Sequence, residues 1–322
     1  MRIRYLILTA SIILLLVGCQ KSSDGFLSYQ ETVTSEGYSS GINLSEQGFF
    51  AKDLVLIPQE EVTSSNDDLE SGAALLIDVT GGKSLYAKNI YERLYPASLT
   101  KLFSTLVALK RGELTDTITI SYQASHIPDP YAKKCGFEEG DTMTLEALLN
   151  CMLVYSGNDA AIAVAEYLGG SEEQFAGLMN EEAKKLGAIH SNFVNATGLH
   201  DENHYTTAYD VYLVFQELMK YDSFLTMIGQ STFTVAYKDV AGNSKEKTFL
   251  TTNHYLKELQ EMPEGLRMKG GKSGTTYKAG NCLVVLVQDE NNSNYISLIM
   301  KAGDETKLYT EMTKLYSYIR RN

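Results

Sequence analysis

Three short segments carry residue types that can do chemistry. Ser98 and Lys101 stand three apart at a predicted helix start, a spacing that puts both side chains on one helix face. A serine hydroxyl attacks only once a partner takes its proton. A lysine serves as that partner when burial and the positive end of the helix dipole depress its pKa. In isolation the pair also fits an N-cap followed by a solvated first-turn lysine. Tyr155-Ser156-Gly157-Asn158-Asp159 interrupts two helical patterns, so a tight turn there presents a hydroxyl and an amide, or simply caps a helix. The third segment is Lys269-Gly270-Gly271-Lys272-Ser273-Gly274-Thr275-Thr276. A phosphate loop would need a glycine at position 266, which is Leu266, and a helix after the lysine, where none is predicted.

The elements that must position these groups are readable from periodicity. Residues 73–77 read as a buried strand, 80–83 as a turn and 84–87 as the returning strand. Leu99, Leu102, Phe103, Leu106, Val107 and Leu109 recur at three and four, which predicts a helix from about Ser98 to Arg111-Gly112 behind Pro96. Further helical patterns cover 144–153, 159–168, 172–186 and 207–220. Strand patterns return at 233–237, 266–271, 282–288 and 295–300, before an amphipathic helix over 304–320. Strands at both ends enclose a helical middle, so residues 69–322 read as one domain with a mixed sheet and an inserted helical lobe.

The chain has 322 residues, 28 Lys+Arg against 40 Asp+Glu, and a formal net charge of -12. Such a balance lacks the basic footprint of a phosphate-backbone binder and argues against a nucleic-acid partner. At 44% apolar and 21% charged, it is also neither disordered throughout nor a disulfide scaffold. Arg2 and Arg4 precede an uncharged run ending Leu16-Val17-Gly18-Cys19. That run is shorter than the roughly 20 residues of a membrane span, and reads as a secretion signal over residues 1–18. Its ending resembles the bacterial lipobox, which makes Cys19 the expected lipid anchor on the outer face of the cytoplasmic membrane. Residues 19–68 are rich in Ser, Glu, Gly and Asn and read as a flexible tether, with Leu54-Val55-Leu56-Ile57 as a strand that could dock on the domain. Cys135, Cys151 and Cys282 are read as buried free thiols, with one disulfide as the alternative.

Order and spacing change the weight of the three segments. S-x-x-K at 98–101, S-x-N at 156–158 and Lys-Ser-Gly at 272–274 form the triplet of penicillin-binding proteins and class A β-lactamases. The flanks Tyr95-Pro96-Ala97-Ser98-Leu99-Thr100-Lys101 and Phe193-Val194-Asn195-Ala196-Thr197-Gly198-Leu199 closely resemble the low-molecular-weight D-alanyl-D-alanine carboxypeptidases. Residues 203–210 and 274–285 look like the same family, and the resemblance spans about 70–320. It implies an α/β fold (α+β mixed) of the β-lactamase/transpeptidase type: a central, mainly antiparallel sheet flanked by helices, with an all-helical lobe inserted. It implies a peptidoglycan stem peptide ending in D-Ala-D-Ala as substrate, β-lactams as inhibitors, and no cofactor.

Carried over residue by residue, Ser98 is the acylated nucleophile, Lys101 its base, and Ser156 a proton relay toward the leaving group. Asn158 would hold the substrate's peptide amide, and Lys272 and Ser273 its terminal carboxylate. Gly274 would let the substrate backbone approach, and the N–H groups of Ser98 and Thr275 would form the oxyanion hole. Ser273 stands where the family more often has Thr, which keeps the hydroxyl. An N-terminal lipid is expected in place of the C-terminal membrane helix of several relatives.

His200 and His204 lie four apart as in zinc peptidases, but Gly198 just before them and Glu202 two after His200 predict a metal-free loop. His126, His190 and His254 stand alone. A class A β-lactamase would need a carboxylate in an E-x-x-L-N pattern after Asn158. Glu166, Glu172, Glu173, Glu181 and Glu182 are none of them followed by Leu-Asn. The other alternative, a catalytically silent wall-binding lipoprotein, has no use for a lysine buried beside a serine.

Overall fold

A computed structural model describes residues 54–63 and 69–319. The expected signal peptide, Cys19 and most of the tether lie outside the described residues.

Five strands form the main sheet: β1 (Ala73–Asp78), β2 (Lys83–Lys88), β7 (Leu266–Thr276), β8 (Gly280–Asp289) and β9 (Asn294–Ala302), in the antiparallel order β2-β1-β9-β8-β7. Both faces are covered, which explains why β1, β8 and β9 are nearly continuous apolar runs rather than alternating ones. Ala73, Leu75 and Ile77 of β1 join the larger core on the helical side. Ala74 and Leu76 face the smaller core under helix α8 (Glu305–Tyr316). With period two, one strand supplies both cores, and each such fully buried Leu contributes roughly 1.5–3 kcal/mol.

Between β2 and β7 lies the helical lobe. Helix α1 (Thr100–Arg111) runs through its centre and buries every residue from Thr100 to Ala108, so it is wrapped on all sides rather than amphipathic. Around it stand α2 (Tyr122–Ser125), α3 (Leu145–Asn150), α4 (Asn158–Gly169), α5 (Glu172–Lys185), α6 (Ala208–Leu218) and α7 (Asp222–Ile228). Phe103 of α1 packs on Phe193 with ring centroids 4.3 Å apart.

The structure departs from the sequence expectation in four places. A second antiparallel sheet, β3 (Thr117–Thr119), β4 (Thr142–Thr144), β5 (Thr232–Lys238) and β6 (Ser244–Leu250), caps the lobe; only β5 was legible. The pattern over 207–220 yields α6, and α7 follows after a break at Met219–Tyr221. Residues 54–57 do dock, but not as a strand: Val55 and Ile57 are buried, and the Tyr212 and Tyr209 hydroxyls bond the Val55 N–H and C=O at 2.9 and 3.1 Å. Finally, β7 continues through Thr276, so the Lys-Ser-Gly segment lies within an edge strand rather than before one. The three domain cysteines are buried and free.

Candidate active site

The turn before α1 is strained on purpose of position. A 3-10 turn over Ala97–Leu99 precedes the helix, and Ala97 has φ +47°, a left-handed conformation that costs a non-glycine residue about 1–3 kcal/mol. It is wedged from two sides. Gly198 (φ +83°) lies so close that an added Cβ would stand 1.9 Å from the Ala97 carbonyl oxygen. Gly274 of β7 lies opposite, where a Cβ would be 2.7 Å from the Ser98 nitrogen. Only glycine permits both approaches.

So held, Ser98 meets Lys101. The Lys101 ammonium, fully buried on the first turn of α1, donates to Ser98 Oγ at 3.1 Å, Asn158 Oδ1 at 2.7 Å and the Thr197 carbonyl at 2.6 Å. Burial pushes its pKa down to about 7, against the pull of the Asp159 carboxylate. The geometry then decides the proton's direction. A neutral lysine keeps two N–H donors and a lone pair, and of its three partners only the Ser98 hydroxyl can donate to that lone pair.

Ser156 and Asn158 come from a second strained turn. The chain after α3 widens into one π-helical turn over Cys151–Tyr155, and Ser156 adopts φ 72°, ψ 33° before α4 begins. Lys272 of β7, also fully buried, donates to Ser156 Oγ at 2.9 Å and to the Ser273 carbonyl at 2.7 Å. Burial drives its pKa well below the ordinary lysine value, and the charges of Lys101 and Lys133 push the same way. A bulge between Met268 and Gly270 resets the register of β7 just before Lys272. Ser273 Oγ donates to Thr252 Oγ1 at 2.8 Å.

Ser98, Ser156, Asn158, Ser273, Gly274 and Thr275 all line one open cleft of ≈ 920 Å³, with Lys101 and Lys272 buried behind its wall. All eight sequence-derived residues of the domain therefore converge on one place. Sequence reading missed three further groups. The Thr197 carbonyl takes a Lys101 proton, and Asn195 pins its loop by accepting from Thr197 N and Gly198 N at 3.2 and 2.8 Å. Asn-Ala-Thr-Gly is a turn signature that could have flagged it. The third is Asp159, which accepts from Cys135 N and Gly136 N at 2.9 and 2.8 Å and fixes the start of α4.

His200 and His204 lie in an irregular segment and have different partners. His204 is buried, with its ring nitrogens on Thr100 Oγ1 (2.8 Å) and the Val194 N–H (3.3 Å), and burial lowers its pKa to about 4. The acceptor at Nδ1 makes it the neutral Nε2–H tautomer. His200 is exposed at the cleft and meets the Tyr95 ring edge-on, 4.7 Å between centroids.

Comparison with known proteins agrees with this geometry. The sequence profile of the family described as D-alanyl-D-alanine carboxypeptidase matches residues 60–304. The chain belongs to that family. It is 34% identical over 256 residues to the D-alanyl-D-alanine carboxypeptidase DacF of Bacillus subtilis, covering 77% of this chain and 62% of the relative. With DacC of Escherichia coli it shares 30% over 266 residues, 80% of this chain and 63% of the relative. The chain thus spans about three fifths of the length of the curated relatives it matches. Among solved structures, a Streptomyces DD-transpeptidase superposes with a TM-score of 0.73 at 23% identity, over 80% of this chain and 100% of the other, a likeness of fold. The D-alanyl-D-alanine carboxypeptidase family assignment thus rests on sequence, and the convergence of its three motifs on one cleft rests on the geometry above.

Proposed function

We propose that this protein is a serine D-Ala-D-Ala carboxypeptidase that removes the terminal D-alanine of peptidoglycan stem peptides through an acyl-enzyme. The observation that carries the reading is the dry Lys101, whose three partners leave the Ser98 hydroxyl as the one proton donor to it. Neutral Lys101 takes the Ser98 proton as Oγ attacks the carbonyl carbon of the penultimate D-Ala. The Ser98 and Thr275 N–H groups receive the developing oxyanion, a contribution of a few kcal/mol. Ser156, backed by Lys272, hands its proton to the leaving amine and is reprotonated at the expense of the Lys101 ammonium, so that the C–N bond breaks, D-Ala departs and Lys101 is neutral again. Water enters the vacated space and attacks the ester as Lys101 takes its proton, and Lys101 returns that proton to Ser98 Oγ as the ester bond breaks. With its Oδ1 on Lys101, Asn158 keeps its NH₂ group for the substrate's peptide amide. Ser273 and Lys272 hold the terminal carboxylate, and the substrate backbone lies along β7 beside Gly274.

β-Lactams enter the same reaction but leave a tethered fragment in the water's path. Among the described residues the acids lining the cleft are Asp129 and Glu305; Glu172, near Lys101, is half-buried and accepts the Ala196 N–H at 3.1 Å. No carboxylate is therefore aligned to rescue the penicilloyl ester. We also propose that Cys19 carries a lipid holding the enzyme on the outer face of the cytoplasmic membrane, as Leu16-Val17-Gly18-Cys19 suggests. The test is D-Ala release from a pentapeptide ending in D-Ala-D-Ala, together with a peptide map of labelled penicillin. Turnover of the peptide and a lasting adduct at Ser98 are expected. Rapid penicillin hydrolysis without D-Ala release would make the protein a β-lactamase; reaction with neither would favour the silent wall-binding lipoprotein.

A further inference from the structure

A second, smaller pocket of ≈ 250 Å³ adjoins the catalytic cleft, and Lys278 lines both. None of the catalytic steps uses it. Its walls are the turn between β7 and β8, the end of β9, and two segments tied together by Leu94 and Thr206, which exchange backbone hydrogen bonds at 2.8 and 2.9 Å. That bridge sets Arg93 beside Tyr205, with the guanidinium 4.7 Å from the ring centre, a stack that leaves the N–H edges of the planar fork available. Lys301 of β9 lies against the turn that carries Lys278: a Cβ on Gly280 would stand 3.4 Å from the Lys301 Cα.

Arg93, Lys278 and Lys301 share this pocket with Glu92 and Glu202, an excess of one positive charge in a chain whose net charge is -12. Among the described residues, none of these five forms an ion pair within 4.0 Å, so the cations are not spent on the neighbouring acids. Lys301 also holds a left-handed backbone, φ 60°, and strain of this kind gathers at ligand clamps. A small pocket with a stacked arginine and two lysines suits a compact planar anion, which arginine grips through two parallel N–H bonds.

The run of the substrate decides which anion can reach it. With its terminal carboxylate at Ser273 and its oxyanion at Thr275, the peptide lies antiparallel to β7, so the residues upstream of the acylated D-Ala pass Thr276 and Tyr277 toward Lys278. From Thr275 to Lys278 is three residues, at most about 10 Å. Two upstream residues, about 7 Å of extended chain, and one side chain cover that span. We infer that the pocket of Arg93, Lys278 and Lys301 receives a free carboxylate carried two residues upstream of the acylated D-Ala. The inference rests on the carboxypeptidase reading and deepens it: the enzyme selects stem peptides that are acidic at that position over those amidated there.

The test compares the full chain with Arg93→Gln, Lys301→Gln and the double variant on three peptides. The first is L-Ala-γ-D-Glu-L-Lys-D-Ala-D-Ala, the second the same peptide with the D-Glu α-carboxylate amidated, and the third diacetyl-L-Lys-D-Ala-D-Ala, which ends short of that position. Both side chains are exposed, so their replacement leaves the core intact. The parent should favour acid over amide about tenfold in kcat/KM, each single variant should cut that preference about threefold, and the double should abolish it, the range of exposed charge pairs. The loss should sit in KM, Arg93→Lys should restore part of it, and added salt should erase the preference in the parent. Glu202→Gln should move the ratio upward. On the short peptide the variants should match the parent. Equal losses on all three peptides would overturn the assignment, as would a parent that turns over acid and amide alike. Release of D-Ala from the short peptide reports the carboxypeptidase reading by itself: release without an acid preference sinks the pocket alone, whereas no release from any peptide sinks the reading and the pocket with it.

Discussion

Replacing Lys101 by methionine keeps the length of the side chain and removes the group on which acylation depends. At the ordinary lysine pKa of about 10.4, roughly one molecule in 2,500 would carry a neutral amine at pH 7. With the pKa pushed down to about 7 by burial, about half do. The rate of acylation by labelled penicillin should therefore climb about tenfold per pH unit below 7 and level off above it. In Lys101→Met the plateau should drop by about 10²–10⁴ and the inflection near 7 should vanish. Stability follows the same proton. The folded pKa lies below the unfolded one, so between about 7 and 10.5 the unfolded chain binds the extra proton and stability rises with pH. The contribution is at most about 1.4 kcal/mol per pH unit, on the order of 4 kcal/mol by pH 10, and Lys272 adds with the same sign. Urea unfolding at pH 7, 8 and 9 should show the native protein gaining stability with a slope that Lys101→Met reduces. The variant also strands the Thr197 carbonyl and Asn158 Oδ1, each worth about 1–3 kcal/mol, so the slope and not the absolute stability is the diagnostic. A variant that acylates within tenfold of the parent and keeps the inflection would refute the assignment of Lys101 as base.

Gly198→Ala should lower stability by roughly 2–4 kcal/mol, since it combines a left-handed φ with a Cβ 1.9 Å from the Ala97 carbonyl oxygen. Its acylation rate should fall more steeply than its melting temperature, and normal labelling of the folded variant would contradict the wedge. Cys19→Ala should lose metabolic labelling by a radioactive fatty acid; undiminished incorporation would remove Cys19 as the anchor.

The three motifs were legible because each depends on local geometry that sequence encodes: helical spacing for Ser98 and Lys101, a turn for Ser156 and Asn158, a strand for Lys272 to Thr275. What joins them was not. Thr197, Thr252 and Lys133 reach the site from other segments of the chain, Thr197 and Lys133 through backbone carbonyls and Thr252 through its hydroxyl, contacts that no residue pattern advertises. The strands missed in the smaller sheet fail for another reason. β3 and β4 have three residues each, too short to show a period, and β6 reads Ser-Lys-Glu-Lys-Thr-Phe-Leu with only Phe249 buried, so its partner β5 rather than its own composition makes it a strand. Helix α1 showed the recurrence of an amphipathic helix, yet its polar residues Thr100, Lys101, Ser104 and Thr105 are also buried. Three of these point at partners that sequence cannot see: His204 for Thr100, Ser98 and Asn158 for Lys101, and the Ala196 carbonyl for Ser104.

Those buried polar residues indicate what the fold gives up around the site. Ala97 and Ser156 each hold a disfavoured backbone, and Lys101 and Lys272 are kept dry at depressed pKa values, so four local preferences are broken within one cleft wall. Each departure has a structural cause that also serves the chemistry. The left-handed Ala97 turns the Ser98 hydroxyl toward Lys101 while its N–H lies beside Gly274, and the left-handed Ser156 turns its hydroxyl onto Lys272. Relaxing either residue to an ordinary helical φ would relieve about 1–3 kcal/mol and swing the hydroxyl off its lysine. The lysine would then face a carbonyl and an amide oxygen that can only accept, which favours its charged form and ends its use as a base. Strain and basicity are thus coupled through the same hydrogen bonds, and the close approach of Gly198 and Gly274 is what keeps the strained turn from relaxing.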